Sequence, residues 1–243
     1  MDIKVRELSK KDRLKQVEEQ FRSWEVLGTL SEEEKAAKKI SFVTISREYG
    51  CAGFRIGTAL AVALNSELRG PSQTPWAVYD RKLVDMVCED HKLNRTLVET
   101  LDKQRKHIFS DYITGIFTGE PSSIKVFKKC ASTIFSLASH GRVILIGRAS
   151  SLITEKLSGG LHVRIVAPLE WRVEKVAAFE KIDSPAKTRR HVEKMDAERE
   201  TFARDFLGRN VAEPDIYHMV LNQKLLGIEE IVELMLKAIE LRG

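Results

Sequence analysis

The sequence predicts a three-layer α/β fold: a parallel sheet of about five strands with helices on both faces, a helical insertion and a lid. Three observations predict it. From residue 40 onward, five short apolar runs alternate with helical periodicities, the pattern of strand–helix–strand units. Each run is apolar along its length, as a strand buried on both faces requires. The first run ends in Gly50, Gly53 and Gly57 and then a helix, which puts a glycine turn at the strand end where such sheets bind ligands.

Residues 1–39 precede this pattern and are strongly charged. Leu14, Val17, Phe21 and Trp24 recur three and four apart, which makes one apolar stripe on a helix. Ser31 to Glu34 reads as a capping box that opens a second helix. This helical N-terminal extension docks on the main domain or on another subunit. Residues 8–27 are the candidate contact for a homo-oligomer or a partner helix.

Residues 40–243 form the main domain. The predicted strands are 40–46 (ISFVTIS), 76–80 (WAVYD), 142–147 (RVILIG), 161–167 (LHVRIVA) and 216–221 (IYHMVL). The predicted helices are 54–68, 81–91, 121–139, 168–180, 186–206 and 227–241. The stretch 81–139 lies between two strands, is mainly helical, and reads as a substrate-binding insertion. The stretch 181–212 is dense in charge and reads as a mobile lid.

The chain has 243 residues, 43% apolar and 31% charged, with a net charge of +5. That excess suits an anionic ligand. The basic residues alternate with acids and few aromatics accompany them, which argues against a nucleic-acid surface. Three scattered cysteines with no CxxC pair fit a reducing cytoplasm. No secretory signal and no membrane-length apolar run is visible, so a cytoplasmic protein without membrane contact is expected. The six histidines show no metal-ligand spacing.

The glycine stretch SREYGCAGFRIG, residues 46–57, carries the chemistry. A helix N-terminus offers unpaired N–H groups and a positive dipole end, and glycines let backbone approach an anion. Turn glycines with no ligand read the same way. The spacing is neither G-x-x-x-x-G-K-[ST] nor G-x-G-x-x-G, and the phosphate-binding lysine is missing.

The stretch TISREYGCAGFRIGTALA resembles the opening of the cytidylate kinase-like family, a branch of the P-loop nucleoside monophosphate kinases. VYDRKLVDMV (78–87), VILIGRAS (143–150), LHVRIVAPLEWRVEKV (161–176), EKMDAERETFARDFLG (193–208) and VLNQKLLGIEEIVELM (220–235) resemble later family blocks in the same order. Together they cover about residues 40–241, with 90–140 poorly matched. Two positions depart from the pattern. Ala52 stands where the family has glycine, and Phe54 where it has arginine. Arg55 comes one residue later, a rotation of about 100° on a helix.

The resemblance implies transfer of the γ-phosphoryl of ATP, with Mg²⁺, to CMP, dCMP or a related small acceptor. It implies a donor site at Ser46, Gly50, Cys51, Ala52, Gly53, Phe54, Arg55 and Ile56. It places the acceptor against Asp80, Arg81, Gly147, Arg148 and Asp196. Arg47, Arg55, Arg148 and Arg199 would supply the positive charge that phosphoryl transfer needs. Asp80 reads first as a helix cap, and Asp196 with Arg199 equally as a surface ion pair. With no Ser or Thr beside a lysine, Mg²⁺ would be held by phosphates and water. A nucleotide-binding protein on the same fold without turnover is the alternative.

Overall fold

A computed structural model describes residues 17–24, 40–66, 74–99, 101, 103–116 and 122–242. The capping box at Ser31 to Glu34 lies outside the described residues. Five strands form one sheet: β1 (Phe42–Arg47), β2 (Ala77–Tyr79), β3 (Val143–Ile146), β4 (Gly160–Val166) and β5 (Met219–Asn222). Their order is β2-β3-β1-β4-β5 and every pairing is parallel. The expected fold class stands.

Successive side chains along a strand point to opposite faces. Val43 and Ile45 of β1 join Ile144 and Ile146 of β3 and Val163 of β4 on one face. That face is covered by α2 (Gly53–Ser66) and α10 (Ile228–Leu241), whose Ile56, Leu60, Ile231 and Met235 are buried there. Each fully buried aliphatic side chain contributes about 1.5–3 kcal/mol. Gly57 lets α2 lie close to the sheet, since a Cβ there would meet Ile146 Cδ1 at 2.9 Å.

Phe42, Tyr79, Val143 and Leu145 face the other way. Residues 17–24 (α1) cover them together with the helices of the segment predicted as an insertion: α3 (Arg81–Glu89), α4 (His91–Glu99), α5 (Lys103–Ile116) and α6 (Ser122–His140). Helix α6 is apolar along one side because it lies over the sheet: Ile134, Phe135, Leu137 and Ala138 are fully buried. Gln20 of α1 donates to the carbonyls of Pro75 and Arg142, at 3.2 and 3.0 Å, and accepts from the Tyr79 hydroxyl at 2.5 Å.

Three details differ from the sequence reading. A short helix, α7 (Ser150–Ile153), follows β3 directly. The last strand starts at Met219 and not at residue 216, because Pro214 fixes a 3₁₀ turn over Pro214–Ile216. It is also an edge strand, with Val220 45% exposed, and so is not buried on both faces.

The stretch predicted as a lid holds the whole of α9 (Pro185–Leu207), which packs on α8 (Leu169–Glu180). Ser184 caps α9, accepting from Lys187 N–H, and Pro185 suits its first turn.

The chain leaves β1 toward the face of α2 and leaves β3 toward the opposite face, where Leu152 and Ile153 of α7 are buried. Adjacent parallel strands whose connections diverge open a crevice at their carboxyl ends.

Candidate functional site

A cavity of about 340 Å³ occupies that crevice. Four arginines from four segments line it: Arg47 at the end of β1, Arg81 at the start of α3, Arg148 after β3, and Arg199 of α9. Glu198 is the single carboxylate among the lining residues, and Ser46, Ser150 and Ser151 add hydroxyls. A concave site with this surplus of guanidinium groups attracts a multiply charged anion.

The backbone after β3 is bent sharply to put Arg148 there. Gly147, Arg148 and Ala149 all have positive φ, +76°, +54° and +52°. For a residue with a side chain that region is costly, on the order of 1–2 kcal/mol. Two hydrogen bonds hold the turn: Gly147 N–H donates to Ile45 O and Ser150 N–H to Gly147 O, both at 3.0 Å. A Cβ at Gly147 would collide with the Arg47 guanidinium, so glycine is what lets Arg47 reach the cavity.

Burial and the neighbouring Arg199 push the Arg47 pKa down to about 10, so Arg47 stays charged at neutral pH. Burial also lowers Arg199, against the pull of Asp196. Arg148 Nη2 lies 2.5 Å from both oxygens of Asp85, its guanidinium lies 5.6 Å from the Phe202 ring centroid, and its buried Nε has no hydrogen-bond partner. Arg81 is exposed and stands 3.9 Å from Asp85.

The glycine loop lies beside this cavity, and protein groups already take up several of its amides. Tyr49 N–H donates to Asp196 Oδ1 at 2.6 Å, and Ala52 N–H to Gln223 Oε1 at 2.8 Å. Cys51 and Gly53 amides bond within the loop, to Glu48 O and Cys51 O. Gly50 has φ +92°, and a Cβ there would meet Arg172 Cβ at 3.0 Å. Burial, and after it Glu48, pushes the Cys51 thiol up to about 12, which leaves it inert as a nucleophile.

Arg172, 7% exposed, organises the loop. It donates to Ala167 O at 2.9 Å, Tyr49 O at 3.0 Å and Asp196 Oδ2 at 2.5 Å, and stands 3.3 Å from Glu48. Glu48 in turn accepts from Ala167 N–H at 2.9 Å. Asp196 therefore ties α9 to the loop, and its distance to Arg199 Nη1 is 3.9 Å. Arg199 donates to Arg47 O at 2.9 Å and stacks over the Tyr49 ring at 5.0 Å.

The structure thus gathers Arg47, Arg81, Arg148, Arg199, Ser46 and Gly147 around one cavity. Arg55 is exposed on the first turn of α2 and lies outside that lining. Asp80 caps α3, accepting from Leu83 N–H at 3.0 Å. Phe54 and Ile56 belong to α2, where Ile56 is fully buried in the core. Sequence reasoning passed over Asp85, Glu48, Arg172 and Gln223. All four fall inside quoted motif blocks. Arg172 carried the clearest signal, a charge on the same helix face as the apolar Val173 and Val176.

Among the described residues no cluster of three or more His, Cys, Asp or Glu side chains could hold a metal ion. Glu48 of the loop and Asp196 of α9 both face Arg172.

An all-parallel sheet with helices on both faces and an arginine-lined crevice at its switch point defines an α/β protein of the open-sheet class. The chain belongs to the cytidylate kinase-like family, whose model matches residues 42–225. The fold is similar to that of an uncharacterized protein from Eubacterium ventriosum, with a TM-score of 0.63 at 15% identity, covering 83% of this chain and 99% of that one. No curated protein sequence matches this one.

Proposed function

We propose that the protein transfers the γ-phosphoryl group of ATP to a nucleoside monophosphate, with CMP or dCMP as the first candidates. One observation supports this above the others: four guanidinium groups from separate segments converge on one cavity at the switch point. Phosphoryl transfer between phosphate oxygens asks little else of a protein than alignment and charge neutralisation. In this reading Arg81 and Arg148 grip the acceptor phosphate. Arg199 and Arg47 lie on the side nearest the loop and meet the charge of the transferring group. The donor phosphates lie along Ser46 and the loop from Gly50 to Ile56, with Arg55 approaching from the surface.

In this reading Mg²⁺ is held mainly by phosphate oxygens and water, as that ion tolerates. No described helix is long and apolar enough to cross a membrane.

A second reading is a nucleotide-binding protein without turnover. The occupied amides of Tyr49 and Ala52 favour it. One experiment separates the two: ADP formation from ATP and Mg²⁺ is followed across a panel of monophosphates, beside calorimetric titration of ATP. Acceptor-dependent ADP supports transfer. ATP binding with no acceptor-dependent ADP selects the second reading. Absence of both removes the donor site.

A further inference from the structure

We propose that Asp196 is a built-in anion that occupies the loop in place of donor phosphate, so that a polyphosphate must displace it and thereby release α9. The inference rests on the loop being the donor site. Three groups that would suit a phosphate oxygen face this one carboxylate, two by hydrogen bonds and one at ion-pair distance. Tyr49 N–H and Arg172 Nη1 bond its two oxygens at 2.6 and 2.5 Å. Arg199 Nη1 stands 3.9 Å away. The Tyr49 ring, beneath the Arg199 guanidinium, completes the enclosure.

Hydrogen bonds between charged partners are the strong ones, and a buried guanidinium that loses one of its counter-charges is destabilised. Arg172 keeps Glu48 at 3.3 Å, but its Nη1 and the Tyr49 N–H favour an anion in the place of Asp196. A carboxylate carries one negative charge. A polyphosphate tail carries several and accepts from the same N–H groups, so it can replace Asp196 without leaving Arg172 or Arg199 unpaired.

The replacement has a mechanical consequence. Asp196 sits near the middle of the 23-residue α9, and the same helix carries Arg199. Its carboxylate anchors α9 to the loop through Tyr49 and to α8 through Arg172. Exchange of anions at this point therefore unlatches α9 as the ligand arrives. Arg199, freed from Asp196, is left facing the incoming charge.

The test titrates inorganic tripolyphosphate into the full chain and into Asp196→Asn, which keeps the shape of the side chain and removes its charge. Circular dichroism melts confirm that both are folded. Hydrogen exchange across residues 185–207 is recorded with and without ligand. The expected result is about tenfold tighter binding by the variant, the worth of one charge-assisted contact removed from competition. Faster exchange around Asp196 is expected in the wild-type chain when ligand is added. Equal or weaker binding by the folded variant, or unchanged exchange in wild type, overturns the latch and leaves the donor site standing. No binding by either form overturns the donor site and the latch with it.

Discussion

The Arg148 guanidinium holds Asp85 through one nitrogen, with Nη2 2.5 Å from each carboxylate oxygen. The pair joins the turn after β3 to helix α3, and Arg148 is 20% exposed against 35% for Asp85. The carboxylate thus keeps a cavity arginine in place on a backbone of positive φ.

Arg148 is expected to carry acceptor affinity. Arg148→Ala should weaken monophosphate binding by at least about tenfold in calorimetry, with an unchanged far-ultraviolet spectrum. Arg148→Lys should recover only part of the loss, since an ammonium cannot span Asp85 and a phosphate as a planar fork does. Asp85→Asn should raise the KM for the acceptor with a smaller effect on kcat, because the guanidinium loses its orientation and not its charge.

Arg172 is expected to be needed for folding stability. Arg172→Met leaves Glu48 and Asp196 facing each other's surroundings with their main counter-charge gone. A cost of about 3–5 kcal/mol follows for breaking a buried ion-pair network, read from urea denaturation. Arg172→Lys should not rescue it, because one ammonium cannot serve Ala167 O, Tyr49 O and Asp196 together.

Gly57→Ala should cost about 1–3 kcal/mol by overpacking α2 on β3. The clash is with a single terminal atom, Ile146 Cδ1. Ile146→Val removes that atom, so the double variant should recover on the order of 1 kcal/mol in a mutant cycle. Additive losses would mean that α2 has shifted instead.

Stability should fall as the solution is acidified from pH 7 to pH 5. His162 is pushed down to about 4 by burial, with His218 and Arg242 adding to the effect, and burial pushes His140 down to about 4 against a bond to Ser136 O. Both are neutral in the folded chain, whereas the unfolded chain takes up protons below about pH 6.5. Stability present above that value is lost as pH drops toward the folded-state value, by about 2 kcal/mol per histidine at pH 5. His162→Gln, which keeps a polar group near Thr44, should roughly halve the slope of unfolding free energy against pH.

The central strands were legible because both faces of β1, β3 and β4 are buried, which leaves runs such as VILI without a polar interruption. The same rule misread β5, an edge strand whose start is displaced by Pro214. Arg47, Arg81 and Arg148 were legible because each ends a strand, opens a helix or follows a strand at the ligand edge, and Arg199 through the Asp196–Arg199 spacing within α9. The partners of Asp196 were not, since Tyr49 lies 147 positions away and Arg172 sits on a third segment. Local periodicity carries no information about which distant amide a carboxylate will meet. The glycines also carry packing that sequence spacing did not announce: Gly57 lets α2 lie close to the sheet, and Gly50 admits the approach of Arg172.

Gln20 of α1 joins a carbonyl 122 positions later in the chain, at Arg142. During synthesis α1 therefore emerges long before its seat exists. Val17, Phe21 and Trp24 must wait, uncovered, until β3 has left the ribosome. Sealing of this end of the molecule is thus a late, long-range closure, and a nascent chain halted before residue 142 offers those three side chains to chaperones.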